Sequence, residues 1–123
     1  MLLGDFYKYS IDEQKEGNIN TSIEINSKHP IFNGHFPEFP VVPGVCQILM
    51  VKEILSEILN VNFQLSTANS IKFLSLLNPN ENNKIQGTIS YSKEDDSKFK
   101  INATLYSEGQ NYLKLKGAFF EKK

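Results

Sequence analysis

Hydrophobic and polar positions alternate most cleanly between Asn18 and Asn26. Ile19, Thr21, Ile23 and Ile25 fall on one side, and Asn20, Ser22 and Glu24 on the other. A period of two predicts a strand with one buried face. After Pro43 the period changes. Val45, Ile48, Val51, Leu55, Ile58 and Leu59 recur at helical spacing up to Asn60, interrupted by Lys52, Ser56 and Glu57. This predicts one long helix whose wide apolar face is largely wrapped by other structure. Pro43 suits the first helical position, where its missing N–H costs nothing. Strands are predicted again at 66–77, 84–92, 98–106 and 112–120, separated by turns at 78–82, 93–96 and 108–111. Strand, loop, one long helix and a four-strand meander make an α+β pattern, with an antiparallel sheet curled around the helix.

Composition narrows the class of protein. The chain has 123 residues, 40% hydrophobic and 22% charged, which predicts a single packed domain over 1–123. The formal net charge is -1, so no overall basic excess points to nucleic acid. No apolar run approaches the ~18 residues that a membrane span needs. The segment 1–9 has no basic stretch ahead of an apolar core and does not read as a secretory signal. Cys46 is the one cysteine, which excludes an internal disulfide and a CxxC metal site and suits a reducing cytoplasm. Every basic residue is a lysine, so no bidentate arginine clamp exists in the chain.

The densest chemistry lies in the loop before the helix. Pro30, Pro37, Pro40 and Pro43 stiffen it, Gly34 adds to its irregularity, and His35 sits in its middle. A braced imidazole, titrating near pH ~6.5 when unperturbed, serves as a base. The helix start that follows offers unpaired backbone N–H groups and the positive end of a dipole, which together hold a developing oxyanion. Base and oxyanion donor are what proton abstraction beside a thioester carbonyl requires. His29 lacks this setting and reads as a surface residue. Cys46 reads as core packing, and Lys93 to Asp96 as a solvated turn.

Gly34-His35-Phe36-Pro37, then Pro40, then Pro43-Gly44-Val45 opening the helix, resembles the signature of the FabA/FabZ 3-hydroxyacyl-(acyl carrier protein) dehydratases. Ile71 to Glu81 is similar to that family's later lysine–phenylalanine strand and its turn. The resemblance implies a hot-dog fold, a hydro-lyase reaction giving a trans-2-enoyl thioester, and no metal or other cofactor. It assigns the C2 proton to His35 and the thioester oxygen to the Gly44 N–H. Phe36, Val45 and Leu49 would line the substrate. It also implies an acyl carrier protein as partner, and a side-by-side dimer with a second copy or another hot-dog subunit.

One departure bears on the chemistry. The family carries an acid in the helix fourteen positions after the histidine, and here that position is Leu49. Glu53 lies one turn further on the same face and is the candidate replacement acid. The glycine usual after His-Phe-Pro is Glu38. The expectation is therefore a dehydratase-like protein of fatty-acid, polyene or related acyl-chain synthesis, with full or impaired activity. The alternatives are a non-catalytic acyl-binding subunit of a hot-dog heterodimer and, last, an acyl thioesterase using Glu38 or Glu53.

Overall fold

The computed structural model describes residues 2–34 and 40–122. The alternation at the start of the chain is a real strand. It is preceded by another that the pattern analysis does not predict, β1 (Tyr7–Lys15), which pairs antiparallel with β2 (Asn18–Ile25). Ile19, Thr21, Ile23 and Ile25 are all buried, as a period of two demands. Thr21 is the polar exception, and its hydroxyl donates to the Gly87 carbonyl at 3.0 Å. A short helix α1 (Ile31–Gly34) follows in the turn-rich region.

The long helix is α2 (Gly44–Leu59). Pro43 is its N-cap rather than its first residue, with φ -58 and ψ 146. Asn60 closes it in the left-handed region at φ 55, its N–H donating to the Ser56 carbonyl. Asparagine tolerates that conformation better than most residues. Met50, Val51, Ile54 and Leu55 are 0% exposed. Full burial of side chains of this size contributes ~1.5–3 kcal/mol each.

Four more strands follow: β3 (Phe63–Phe73), β4 (Lys84–Lys93), β5 (Lys98–Ser107) and β6 (Gln110–Glu121). Gly109, at φ +76, makes the tight turn between the last two. The sheet order is β1-β2-β4-β5-β6-β3, antiparallel throughout. The meander is therefore three strands, β4 to β6. The strand expected to open it, β3, crosses over instead and pairs with β6 at the far edge. The inner faces of β2, β4, β5 and β6 supply Ile19, Ile89, Leu105 and Leu115, and with α2 these form one core. An antiparallel sheet curled around a central helix is the hot-dog arrangement.

Helix α2 is wrapped on one side only. Cys46, Gln47, Met50, Val51, Glu53, Ile54 and Leu55 are buried, whereas Val45 is 64% exposed and Leu49, Lys52 and Ser56 are half-buried. Steps of four, three and four residues put these last four on one face. That face and the open edge of β3 leave the sheet unfinished.

Candidate functional site

His35, Phe36 and Glu38 lie outside the described residues. The helix tip that the histidine precedes is described in full. Pro43 has no side chain able to cap it, and no side-chain hydrogen bond from the described residues does so. The Cys46 and Gln47 N–H groups turn back to the Pro43 carbonyl at 3.0 and 3.2 Å. Among the described residues nothing accepts from the N–H of Gly44 or Val45. A sixteen-residue helix whose tip the described residues leave uncapped offers donors and a partial positive charge to an anionic or polarised oxygen.

The glycine at the tip has a steric reason. A Cβ on Gly44 would come within 2.5 Å of the Phe73 ring. Phe73 ends β3 and is 51% exposed, so its ring lies against the tip with about half its surface open to solvent. The stretch after it runs alongside the helix entrance, where the Val42 N–H donates to the Leu77 carbonyl at 2.8 Å. Val45, Phe73, Leu74 and Leu76 are four of the five exposed large hydrophobic residues among those described. Such a concentration beside one polar tip marks a contact surface.

Leu49, at the position of the family's helix acid, lines a groove of about 380 Å³ with Leu2, Lys52, Glu53, Ser56, Asn62 and Phe63. Glu53 thus shares that groove with Leu49, as a reach-back acid would need. Its carboxylate, however, is turned to the first residues of the chain. It accepts from the Leu2 N–H at 3.0 and 3.2 Å, from the Leu3 N–H at 3.0 Å and from the Tyr7 hydroxyl at 3.1 Å. Glu53 is only 7% exposed, and a buried carboxylate with this set of donors acts as an anchor for the segment before β1. The same contact acts on Tyr7: burial, then the neighbouring carboxylate, pushes its phenol well above the ordinary range.

The remaining candidates are structural. Burial raises the Cys46 thiol, and Glu53 adds to the shift, so Cys46 is an inert core residue. His29 is half-buried rather than on the surface. Its Nδ1 accepts from the Ile31 N–H at 3.1 Å, and its ring meets the edge of Phe6 at 5.3 Å. Among the described residues no group of three or more His, Cys, Asp or Glu side chains forms a metal site. No described helix is long and apolar enough to cross a membrane.

Comparison with known proteins agrees with this geometry. A family model described as ApeI dehydratase, of the ApeI-like group, matches residues 11–111. The 3-hydroxyacyl-[acyl-carrier-protein] dehydratase FabZ of Rickettsia felis is 27% identical over 110 residues, covering 80% of this chain and 76% of that one. Among solved structures, the dehydratase heterocomplex ApeI:P from Xenorhabdus doucetiae superposes with a TM-score of 0.71 at 21% identity. That match covers 91% of this chain and 95% of the other. A hypothetical thioesterase from Streptococcus pneumoniae, solved with coenzyme A, gives 0.65 at 15% identity, covering 94% and 86%. At such identities the structures speak for the hot-dog fold alone.

Proposed function

The chain belongs to the ApeI-like dehydratase family, and from that premise we propose that it handles 3-hydroxyacyl thioesters, with water eliminated to give the trans-2-enoyl product. The observation that carries the reading is the uncapped tip at Gly44, set directly after the His35 loop in a segment the family model spans. His35 removes the C2 proton. Charge builds on the thioester oxygen, and the Gly44 N–H stabilises it. The hydroxyl on C3 then leaves with a proton from an acid. Val45, Phe36 and Leu49 line the acyl-pantetheine arm, which an acyl carrier protein delivers.

The acid decides how far the reaction runs. Leu49 cannot protonate a leaving hydroxyl. Glu53 would first have to release Leu2, Leu3 and Tyr7. We therefore assign the acid to a second hot-dog subunit packed on the open β3 edge and on the patch around Val45, Phe73, Leu74 and Leu76. In such a heterodimer this chain supplies the base and the oxyanion donor, and its partner the carboxylate. A second reading rests on the same two residues. With Leu49 in place and Glu53 occupied, the chain is an acyl-binding subunit and a homodimer turns over little. Both readings suit a cytoplasmic protein with one buried thiol.

The test is direct. The purified chain, alone and mixed with an acid-bearing hot-dog subunit, is given a 3-hydroxyacyl carrier thioester, and enoyl product, free thiol and binding are followed. Enoyl formation that His35→Ala abolishes supports dehydration, and Leu49→Glu raises it in the chain alone. Binding without turnover in either mixture supports the acyl-binding subunit. Thiol release without enoyl product overturns both.

A further inference from the structure

Helix α2 carries three charged side chains, Lys52, Glu53 and Glu57. Both carboxylates are taken up by β1 and the segment before it. Glu53 holds Leu2, Leu3 and Tyr7, and Glu57 accepts from the Tyr9 hydroxyl at 2.5 Å. Lys52 is engaged by neither. Among the described residues no carboxylate lies within 4.0 Å of its Nζ. It is half-buried in the groove of about 380 Å³ that it lines with Leu49, Ser56 and Asn62. Leu49 stands three residues before it, on the same face of the helix and ~4.5 Å away along the axis. Side chains on a helix lean toward its N-terminus. The four-carbon stem of Lys52 therefore gives its ammonium reach to the turn that Leu49 occupies.

Leu49 leaves the position of the family's acid without a proton to give. Among the other groups lining the groove, the Ser56 hydroxyl and the Asn62 amide are far weaker proton donors, and Glu53 is committed to the first residues of the chain. An ammonium offers three N–H bonds, and lysine is among the side chains that serve as general acids. We propose that Lys52 gives the proton to the leaving hydroxyl in any site that this chain completes without an acid-bearing partner, and the inference rests on the thioester reading above. His35 takes the C2 proton, and the pair of the C2–H bond forms the C2–C3 double bond. The C3–O bond breaks with its pair on oxygen. An N–H bond of Lys52 breaks, and the new O–H bond completes water. One proton has reached the imidazole and one has left the ammonium, so the step balances with no further reactant. The imidazolium then loses its proton to solvent, and the amine takes one up. Leu2, Leu49 and Phe63 in the same groove keep the lysine stem in apolar surroundings while its head stays polar, which is the merely structural role that the test has to exclude.

The experiment follows enoyl formation by the full chain from a 3-hydroxyacyl thioester of N-acetylcysteamine. Lys52→Ala is expected to lose about 10²-fold or more in turnover and to recover about tenfold in ethylammonium chloride. Tetramethylammonium chloride, a cation without an N–H, should recover nothing at the same concentration. Lys52→Met keeps the stem in its apolar surroundings and should be as slow as alanine. Lys52→Arg should be nearly as slow, because a guanidinium does not give up its proton. The β1 control Lys8→Ala should match wild type in either salt. Circular dichroism checks that each variant is folded, and if alanine fails that check, methionine decides alone. A folded Lys52→Met within about threefold of wild type overturns the proposal. So does a Lys52→Ala that recovers in both salts alike or in neither. The proposed function fails separately. Enoyl product that appears only when an acid-bearing hot-dog subunit is added overturns Lys52 and leaves the dehydratase standing. No enoyl product under either condition removes both.

Discussion

Replacing Glu53 by glutamine separates an anchor from an acid. The carboxylate holds two backbone N–H groups and one phenol, all on the segment from Leu2 to Tyr7. Glutamine keeps one acceptor oxygen and turns the other into an amide donor, which must face a donor already in place. Hydrogen bonds to a charged group contribute ~1.5–3 kcal/mol each, and an N–H that regains water recovers part of that loss. Leu2 and Leu3 are only half-buried, so their groups regain water, while the buried Tyr7 hydroxyl does not. The expected net cost is about 2 kcal/mol. An unfolding entropy of about 2.1 cal/mol/K per residue gives about 0.26 kcal/mol/K for this chain, so the melting temperature should fall by about 8 °C. Circular dichroism melts at one fixed protein concentration measure it, since any dimer makes the midpoint concentration-dependent. Tyr7→Phe in the Glu53→Gln background should then cost about 1 kcal/mol less than in wild type, because the two residues share a bond. A melt within 2 °C of wild type, together with a changed pH profile of turnover, would refute the anchor and restore Glu53 as an acid.

Three further outcomes are expected. Tyr7 has a folded-state phenol pKa raised above the unfolded value near ~10, so its stabilising contribution is complete below that pH and is lost as pH climbs beyond it; alkaline melts should fall less steeply for Tyr7→Phe. Gly44→Ala should cost under ~1 kcal/mol in stability, because the half-exposed Phe73 ring can swing aside. Alanine keeps the N–H, but its methyl crowds the place of the oxygen held there, and a misplacement of that kind should lower any turnover by ~10²-fold, measured as enoyl formation, with partial recovery on Phe73→Leu. Asn60→Ala should lose about 1 kcal/mol in urea unfolding and Asn60→Gly should lose nothing, because only the left-handed cap distinguishes them.

Local pattern revealed the elements that local forces determine. The helix from the proline loop to Asn60 and the alternation of β2 are both periodicities, and both ends of α2 fall within a residue of expectation. Strand β1 escaped because Tyr7, Tyr9 and Ile11 alternate for only three positions before Asp12 and Glu13, where a bulge shifts the register. The crossing of β3 to the far edge was illegible for a different reason. Nothing within 63–73 says that its partner is β6 rather than β4, since that choice belongs to the whole sheet. The candidate site divides the same way. Gly44 was readable as a helix start and Leu49 as the position fourteen after His35, and the structure puts one at the tip of α2 and the other in a groove with Glu53. The engagement of Glu53 could not be read, because two of its three donors are backbone N–H groups, which every residue but proline carries. Phe73 left a faint signal as an aromatic at the end of a strand, but only the fold puts it on Gly44.

The pairing of β3 with β6 also fixes an order of events during synthesis. The helix and the strand that follows it leave the ribosome well before β4, β5 and β6, so β3 has no neighbour to join until the last strand is made. Until then the side of α2 that β6 covers and both edges of β3 stay bare, which favours aggregation of the nascent protein. Cutting the chain before Gln110 should therefore strand two elements, not one, and send the fragment to inclusion bodies.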